Sequence, residues 1–258
     1  MSEFLARVVA GTVDAVGARR ALVPDAVLEE GLVSRAERPF HDALARPGMS
    51  LISELKRASP SRGPIQPDAD AAEVVSAYER AGASACSILT EPEYFGGSLA
   101  DLEAARAATR LPLLRKDFIV DRYQLLEARA AGADAALLIV AAMGVPELRH
   151  LIEEADRIGL DALVEVHDER EVGAALEAGA RIVGINNRNL KTLDVDIETA
   201  HRLRRGLPAE VVAVAESGIT TRHDVERLEE AGVDAILVGE TLMRAGDPAA
   251  TVAKLLGR

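Results

Sequence analysis

The sequence is poor in several residue types, and each shortage excludes something. Tryptophan is absent, and phenylalanine and tyrosine together bring the aromatics to only 3% of 258 residues. So few rings cannot build a nucleic-acid stacking platform, and they suit a β-sandwich core poorly. The one cysteine, Cys86, excludes an intramolecular disulfide framework and a multi-cysteine metal site, and is compatible with a reducing cytoplasm. The five histidines show no H-x-x-x-H spacing. Positive charge is in deficit, with a net charge of −12, so neither nucleic acid nor an anionic membrane is an expected partner. No apolar run approaches the ~18 residues of a membrane-spanning helix. Residues 1–11 carry Glu3 and Arg7 and do not form a secretory signal.

Alanine is abundant instead, at 46 residues. Small side chains on many helices, packed against Val, Ile and Leu strands, account for a core with few rings. A helical stretch, then Ala-Gly-small, then an apolar strand recurs around Gly82, Gly132, Gly179 and Gly232, which are 50, 47 and 53 residues apart. Each glycine reads as the left-handed residue that ends a helix. Each interval holds two strand–helix units of about 25 residues. Strands are predicted at 51–55, 86–89, 111–114, 136–140, 162–166, 181–185, 211–215 and 236–238. They are short and apolar, as parallel strands buried on both faces are. Helices are predicted at 69–81, 99–109, 122–131, 146–158, 169–178, 197–205, 221–231 and 248–256. Eight strands alternating with eight helices predict an α/β fold, a closed (β/α)8 TIM barrel. An open doubly wound sheet is the alternative, but no G-x-G-x-x-G opens the first unit. Residues 1–258 read as one barrel domain, with 1–48 as an N-terminal helical extension having helical patterns at 4–16 and 39–45. The extension either covers the bottom or flank of the barrel or forms a partial lid over its mouth.

Chemistry in such barrels sits at the C-terminal ends of the strands. There the sequence places Glu54 and Lys56, then Lys116, Glu165 and Glu216, with Asn186 after strand 6. Glu54 and Lys56 are two apart and share a face; if that face is inward, they meet over the barrel mouth. Any one of these could be a solvated strand terminus. A charged end on all four odd strands points to an acid–base cluster. Gly218 and Gly239 stand in the two loops where barrels often bind phosphate. The loop from Arg57 to Pro64 adds hydroxyls and cations. Lys56, Arg57, Arg62, Arg115, Lys116, Arg188 and Lys191 suggest local attraction for a small anion. Cys86 reads as a packed thiol, His167 as structural, and Asp194 and Asp196 as a loop leading to a helix cap. Tyr94-Phe95-Gly96-Gly97 reads equally as a ligand wall or a loop anchor.

Seven motifs at strand ends carry a resemblance. They are Ser53-Glu54-Leu55-Lys56-Arg57-Ala58-Ser59-Pro60-Ser61, Leu89-Thr90-Glu91-Pro92-Glu93-Tyr94-Phe95-Gly96-Gly97-Ser98, Leu114-Arg115-Lys116-Asp117-Phe118-Ile119, Leu163-Val164-Glu165-Val166-His167, Gly184-Ile185-Asn186-Asn187-Arg188-Asn189-Leu190-Lys191-Thr192, Ala215-Glu216-Ser217-Gly218-Ile219 and Leu237-Val238-Gly239-Glu240-Thr241-Leu242-Met243. Together they resemble the indole-3-glycerol-phosphate synthase family in its monofunctional form. Arg122 stands where proline is expected, and Arg62 where lysine is usual. The resemblance implies a cytoplasmic monomer that needs no metal or cofactor. It implies a phosphorylated substrate, 1-(2-carboxyphenylamino)-1-deoxyribulose 5-phosphate, closed to an indole with loss of CO2 and water. By the same resemblance the catalytic set is Glu54, Lys56, Lys116, Glu165, Asn186, Glu216 and Ser217. Ser59, Gly218, Gly239 and Glu240 belong to the phosphate side, and Phe95, Phe118, Leu137 and Arg188 to the anthranilate side. Two rivals remain: another phosphosugar isomerase barrel, which predicts a Cys/Asp or Asp/Asp pair at strand ends, and a non-catalytic phosphate-binding barrel.

Overall fold

Each repeat glycine does take up a left-handed conformation, with φ of +89° at Gly82, +100° at Gly132, +91° at Gly179 and +79° at Gly232. Side-chain caps open most of the intervening helices: Asp70, Ser98, Asp121, Asp168, Thr221 and Asp247 each accept from a backbone N–H of the first turn. With starts and stops fixed this way, the strands emerge at regular intervals. The computed structural model of the protein describes residues 2–32, 39–189 and 192–258; Lys191 lies outside them.

The barrel strands are β1 (Ser50–Leu55), β2 (Ala85–Leu89), β3 (Leu113–Lys116), β4 (Ala135–Ile139), β5 (Asp161–Val166), β6 (Ile182–Asn186), β7 (Val212–Glu216) and β8 (Ala235–Val238). Each pairs in parallel with its sequence neighbours, and β1 also pairs with β8, closing the barrel. The eight helices fall where the sequence predicts them, with ends shifted by a few residues. Alternation along the strands sorts two cores. Ile52, Leu114, Leu137, Leu163, Val214 and Leu237 fill the barrel interior. Leu51, Ile88, Leu138, Val164, Val183 and Ile236 face outward against the helices. Inward parity therefore carries on to Glu54, Lys116, Glu165, Asn186 and Glu216 at the C-terminal ends.

Among the described residues, three helices precede β1: α1 (Glu3–Leu22), α2 (Asp25–Glu30) and α3 (Phe40–Leu44). The described part of this segment reaches both ends of the barrel. α3 plugs the bottom: Phe40 and Leu44 are fully buried in the interior cluster, and His41 N–H donates to Asp161 Oδ2 at 3.0 Å. α1 reaches the opposite end and places Phe4 and Leu5 in the wall of the mouth. It runs six residues beyond its predicted end, and α2 is not apparent from the sequence. The reason is tertiary. Arg19 pairs bidentately with Glu127 (2.6 and 3.1 Å), and Arg20 pairs with Asp121 and Asp25. These contacts hold a segment whose own apolar stripe is thin.

Candidate active site

The inward charged residues converge over a cavity of about 690 Å³ at the C-terminal end of the barrel. Lys116, from β3, lies between two carboxylates of facing strands. Its Nζ donates to Glu165 Oε2 at 3.1 Å and sits 3.3 Å from Glu216 Oε2. Lys56 Nζ is 2.5 Å from Glu54 Oε1, so the expected meeting of these two does occur. Ser87 Oγ donates to the other oxygen of Glu54 at 3.3 Å. Ser217 Oγ donates to Asn186 Oδ1 at 2.9 Å. Ser217 is one of two described non-glycine residues with a left-handed backbone, φ +69°, and this bend turns its hydroxyl toward the mouth.

Glycine leaves room at two points where a carboxylate comes close. A Cβ on Gly184 would stand 2.2 Å from Glu216 Oε1, and one on Gly239 would stand 2.5 Å from Glu54 Oε1. At Gly239 the backbone is not left-handed. Close approach explains that glycine, whereas Gly218 has φ +82°.

Burial and neighbouring charge set the titration of the cluster. Burial alone would lower the Lys116 pKa, but Glu165, Glu216 and Glu54 outweigh it and keep the ammonium above its ordinary range. Burial raises Glu165, yet Lys116 and His167 overcome that and hold its carboxyl well below the usual value. Burial pushes Glu216 up to about 7, with Glu165 and Glu54 adding repulsion against the pull of Lys116. Its Oε1 has no hydrogen-bond partner. Two carboxylates sharing one ammonium thus differ in character, as acid–base chemistry near neutrality requires.

The other predicted residues surround this cluster. All fifteen line the cavity. Phe95 and Phe118 stand 6.3 Å apart between ring centroids, with Leu137 inward on β4 and Arg188 after β6, forming one wall. Tyr94 takes the other half of its motif's two roles. It anchors α1, meeting Phe4 edge-on at 5.1 Å. Opposite, Ser59, Gly218, Gly239 and Glu240 border a polar corner, and the buried Ser59 hydroxyl has no partner. Arg62 lies 3.3 Å from Glu240, which also pairs with Arg244 at 3.2 Å.

The expected basic mouth is not what forms. Arg57 turns away to Asp101 and the Ala69 carbonyl. Arg115 has outward parity and is fully buried against Asp117, Glu127 and the Gln124 carbonyl. The cavity wall carries Lys56, Arg62, Lys116, Arg188 and Arg244 against Glu54, Glu91, Asp117, Glu165, Glu216 and Glu240. Charge there is nearly balanced, because strand parity sends Arg115 behind the barrel and Arg57 turns to Asp101.

Sequence reasoning missed Phe4, Leu5, Glu91 and Arg244, which also line the cavity. The scarcity of rings could have singled out Phe4; nothing local marks Leu5. Cys86 is buried with its thiol pushed up to about 12 by burial, as a packed thiol is. Asp196 Oδ1 accepts from Glu198 N–H, a helix-start contact. Among the described residues no group of His, Cys, Asp and Glu is arranged to hold a metal ion, and no described helix is long and apolar enough to cross a membrane.

A family profile described as indole-3-glycerol phosphate synthase matches residues 5–255. The chain is 50% identical to indole-3-glycerol phosphate synthase 2 of Streptomyces coelicolor over 100% of both chains. It is 51% identical to indole-3-glycerol phosphate synthase of Mycolicibacterium gilvum, over 93% of this chain and 89% of that one. Among solved structures, the N-acetylmannosamine-6-phosphate 2-epimerase of Clostridium perfringens superposes with a TM-score of 0.63 at 14% identity. That match covers 82% of this chain and 94% of the other, and it speaks to the barrel alone.

Proposed function

The chain belongs to the indole-3-glycerol phosphate synthase family, and we propose that its cavity closes 1-(2-carboxyphenylamino)-1-deoxyribulose 5-phosphate to indole-3-glycerol phosphate, with loss of CO2 and water, in L-tryptophan biosynthesis. One observation carries this reading: a buried ammonium, Lys116, held between two carboxylates of unlike pKa, with rings on one side and an unpartnered hydroxyl and two glycines on the other.

The reaction makes a bond between the ring carbon that bears the carboxylate and the sugar C2 carbonyl. That carbonyl must be made electrophilic, and Lys116 is the general acid that gives its oxygen a proton. Release of CO2 from the same ring carbon returns its electron pair to the ring system. Loss of the C2 hydroxyl, with a proton, then gives the indole double bond. Lys56 leaves Glu54 to pair with the substrate carboxylate, and Glu54 holds Lys56 in place before substrate arrives. Glu165 balances the cationic intermediate. Glu216 is the group best suited to move a proton near neutrality during dehydration. Asn186 and Ser217 bind sugar hydroxyls. Ser59, Gly218 and Gly239 hold the phosphate, and Arg62 exchanges Glu240 for it. Phe95, Phe118, Leu137 and Arg188 enclose the anthranilate ring, with Phe4 and Leu5 completing the wall.

We read residues 1–258 as one barrel domain with 1–48 as its extension, working as a cytoplasmic monomer without metal or cofactor. The single buried thiol supports the compartment. Light scattering at the mass of one 27.4 kDa chain checks the monomer.

The test is a fluorescence assay with that substrate in the absence of added metal. Without tryptophan in the chain, the indole product appears over a low background. Lys116→Ala is expected to lower kcat by about 10²-fold or more while the affinity for a phosphate-bearing ligand stays near wild type. A folded wild-type protein that forms no product refutes the reading.

A further inference from the structure

His167 is the first residue after β5 and has the parity of Glu165, two residues before it. Its ring is mostly buried. Nδ1 lies 3.0 Å from Glu171 Oε2, and Nε2, which has no hydrogen-bond partner, lies within ion-pair distance of Glu165 Oε1 at 3.3 Å. The same Glu171 oxygen accepts from the His167 backbone N–H at 2.7 Å. Glu171 is itself fixed in the first turn of the helix Glu169–Ala178, where its N–H donates to Asp168 Oδ1 at 2.9 Å. The imidazole is therefore clamped between a strand end and a helix start, with a carboxylate against each nitrogen. The charged groups facing it are Glu165 from β5 and Glu171 from that helix, with Lys116 of β3 beyond Glu165.

A neutral imidazole has one N–H and one lone pair. Set between two carboxylates, it would aim that lone pair at an anion. Only the doubly protonated ring suits both neighbours. Burial opposes that charge, but the contacts from Glu165 and Glu171 outweigh it and bring the ring to about 10. Glu165 thus meets a cation at each oxygen, Lys116 at Oε2 and His167 at Oε1.

We propose that His167 is a positioning residue for the reaction: it holds Glu165 ionised and aimed at Lys116 through the step in which Lys116 gives up its proton. This rests on the role of Lys116 proposed above. When the ammonium donates to the substrate, its charge no longer balances Glu165. A carboxylate facing a neutral amine in a buried site would capture a proton or swing away. The imidazolium behind it remains charged and fixed by Glu171, so Glu165 stays in place for the cationic intermediate.

The test compares wild type with His167→Gln, Glu171→Gln and Glu165→Gln in kcat, KM and melting temperature between pH 3.5 and 9. In His167→Gln an amide takes the place of the ring beside Glu165 and carries no charge. Its kcat is expected to fall about 10-fold with KM within about two-fold, and the acid limb of kcat should move up by about one pH unit, as loss of an adjacent opposite charge implies. Glu171→Gln leaves the ring in contact with Glu165 but lowers its pKa. It should match wild type near pH 6 and lose turnover at pH 8, a new alkaline limb. If Glu165→Gln is inactive while both other variants keep wild-type pH limbs, the inference about His167 is overturned alone. It is likewise overturned if kcat falls only in step with melting temperature. If Glu165→Gln keeps full turnover, the role given to Glu165 fails first.

Discussion

Lys116 shows how little a residue's type says without its neighbours. In water a lysine ammonium holds its proton too firmly to serve as an acid near pH 7, and here three carboxylates hold it more firmly still. In the proposed reaction the sugar C2 oxygen gains alkoxide character as the ring carbon adds to it, and this strong base draws the proton from the ammonium as the bond forms. Geometry is correspondingly tight. In Gly184→Ala the new methyl would displace the Glu216 carboxylate. Shifts of about 1 Å in such sites cost about 10²-fold, so kcat should fall by that order while the melting temperature stays close to wild type. Unchanged turnover would show that Glu216 need not sit where it does. Glu216 also leaves a mark on stability. Its folded pKa is about 7 against an ordinary value of 4.5, so between those pH values the folded state binds more protons than the unfolded one. Stability must then fall as pH rises through that window. In Glu216→Gln this contribution disappears, and melting curves recorded from pH 4.5 to 7 should decline less steeply than those of wild type.

The N-terminal helices divide their work between the two ends of the barrel. Phe40 of α3 is fully buried under the strands. Phe40→Ala removes a large side chain from a closed interior and should cost about 3–5 kcal/mol in urea denaturation, with turnover per folded molecule unchanged. Phe4 of α1 lines the mouth. Phe4→Ala should do the reverse, raising KM about five-fold, the equivalent of about 1 kcal/mol of ring contact, and leaving stability nearly unaltered. α1 is tied to the strand that carries Lys116 through a partly buried chain of charges. Arg19 holds Glu127, Glu127 also meets Arg115, and Arg115 meets Asp117, the residue after Lys116. Arg122, where the family pattern expects proline, secures the extension as well. It reaches Glu29 and Asp25 of α2 and Glu154 of the helix Val145–Arg157. A proline could make none of these contacts.

Across the whole molecule, an overall charge of −12 surrounds a mouth whose charges are nearly balanced. A phosphorylated carboxylate approaching it meets no net attraction at long range. In the proposed reaction binding comes instead from exchange at short range, with Arg62 and Lys56 leaving Glu240 and Glu54 for the ligand. Added salt screens the repulsion of the body more than it weakens these close contacts. The ratio kcat/KM should therefore hold level or rise by up to about two-fold between 20 and 200 mM salt. A steep fall would show a steering field that the balance seen here does not provide.

The barrel was legible in the chain because its signals are local. A short apolar run reads as a buried strand, Asp or Ser at a helix start reads as a cap, and glycine just past its end reads as a stop. Charge at the end of an apolar strand is conspicuous for the same reason, so Glu54, Lys116, Glu165 and Glu216 could be named from the sequence. Sequence period alone could not say which alternate residues face inward, and Arg115 and Lys116 are neighbours with opposite fates. Nor could it say that α1 would cross the mouth while α3 filled the base, because ion pairs more than a hundred residues apart decide where α1 lies. His167 read as structural because its importance rests on Glu165 and Glu171 closing on both ring nitrogens. Local propensity and patterning wrote the strands, helices and reactive ends. Closure of the barrel, which sets parity, distance and burial, decided which charge answers which.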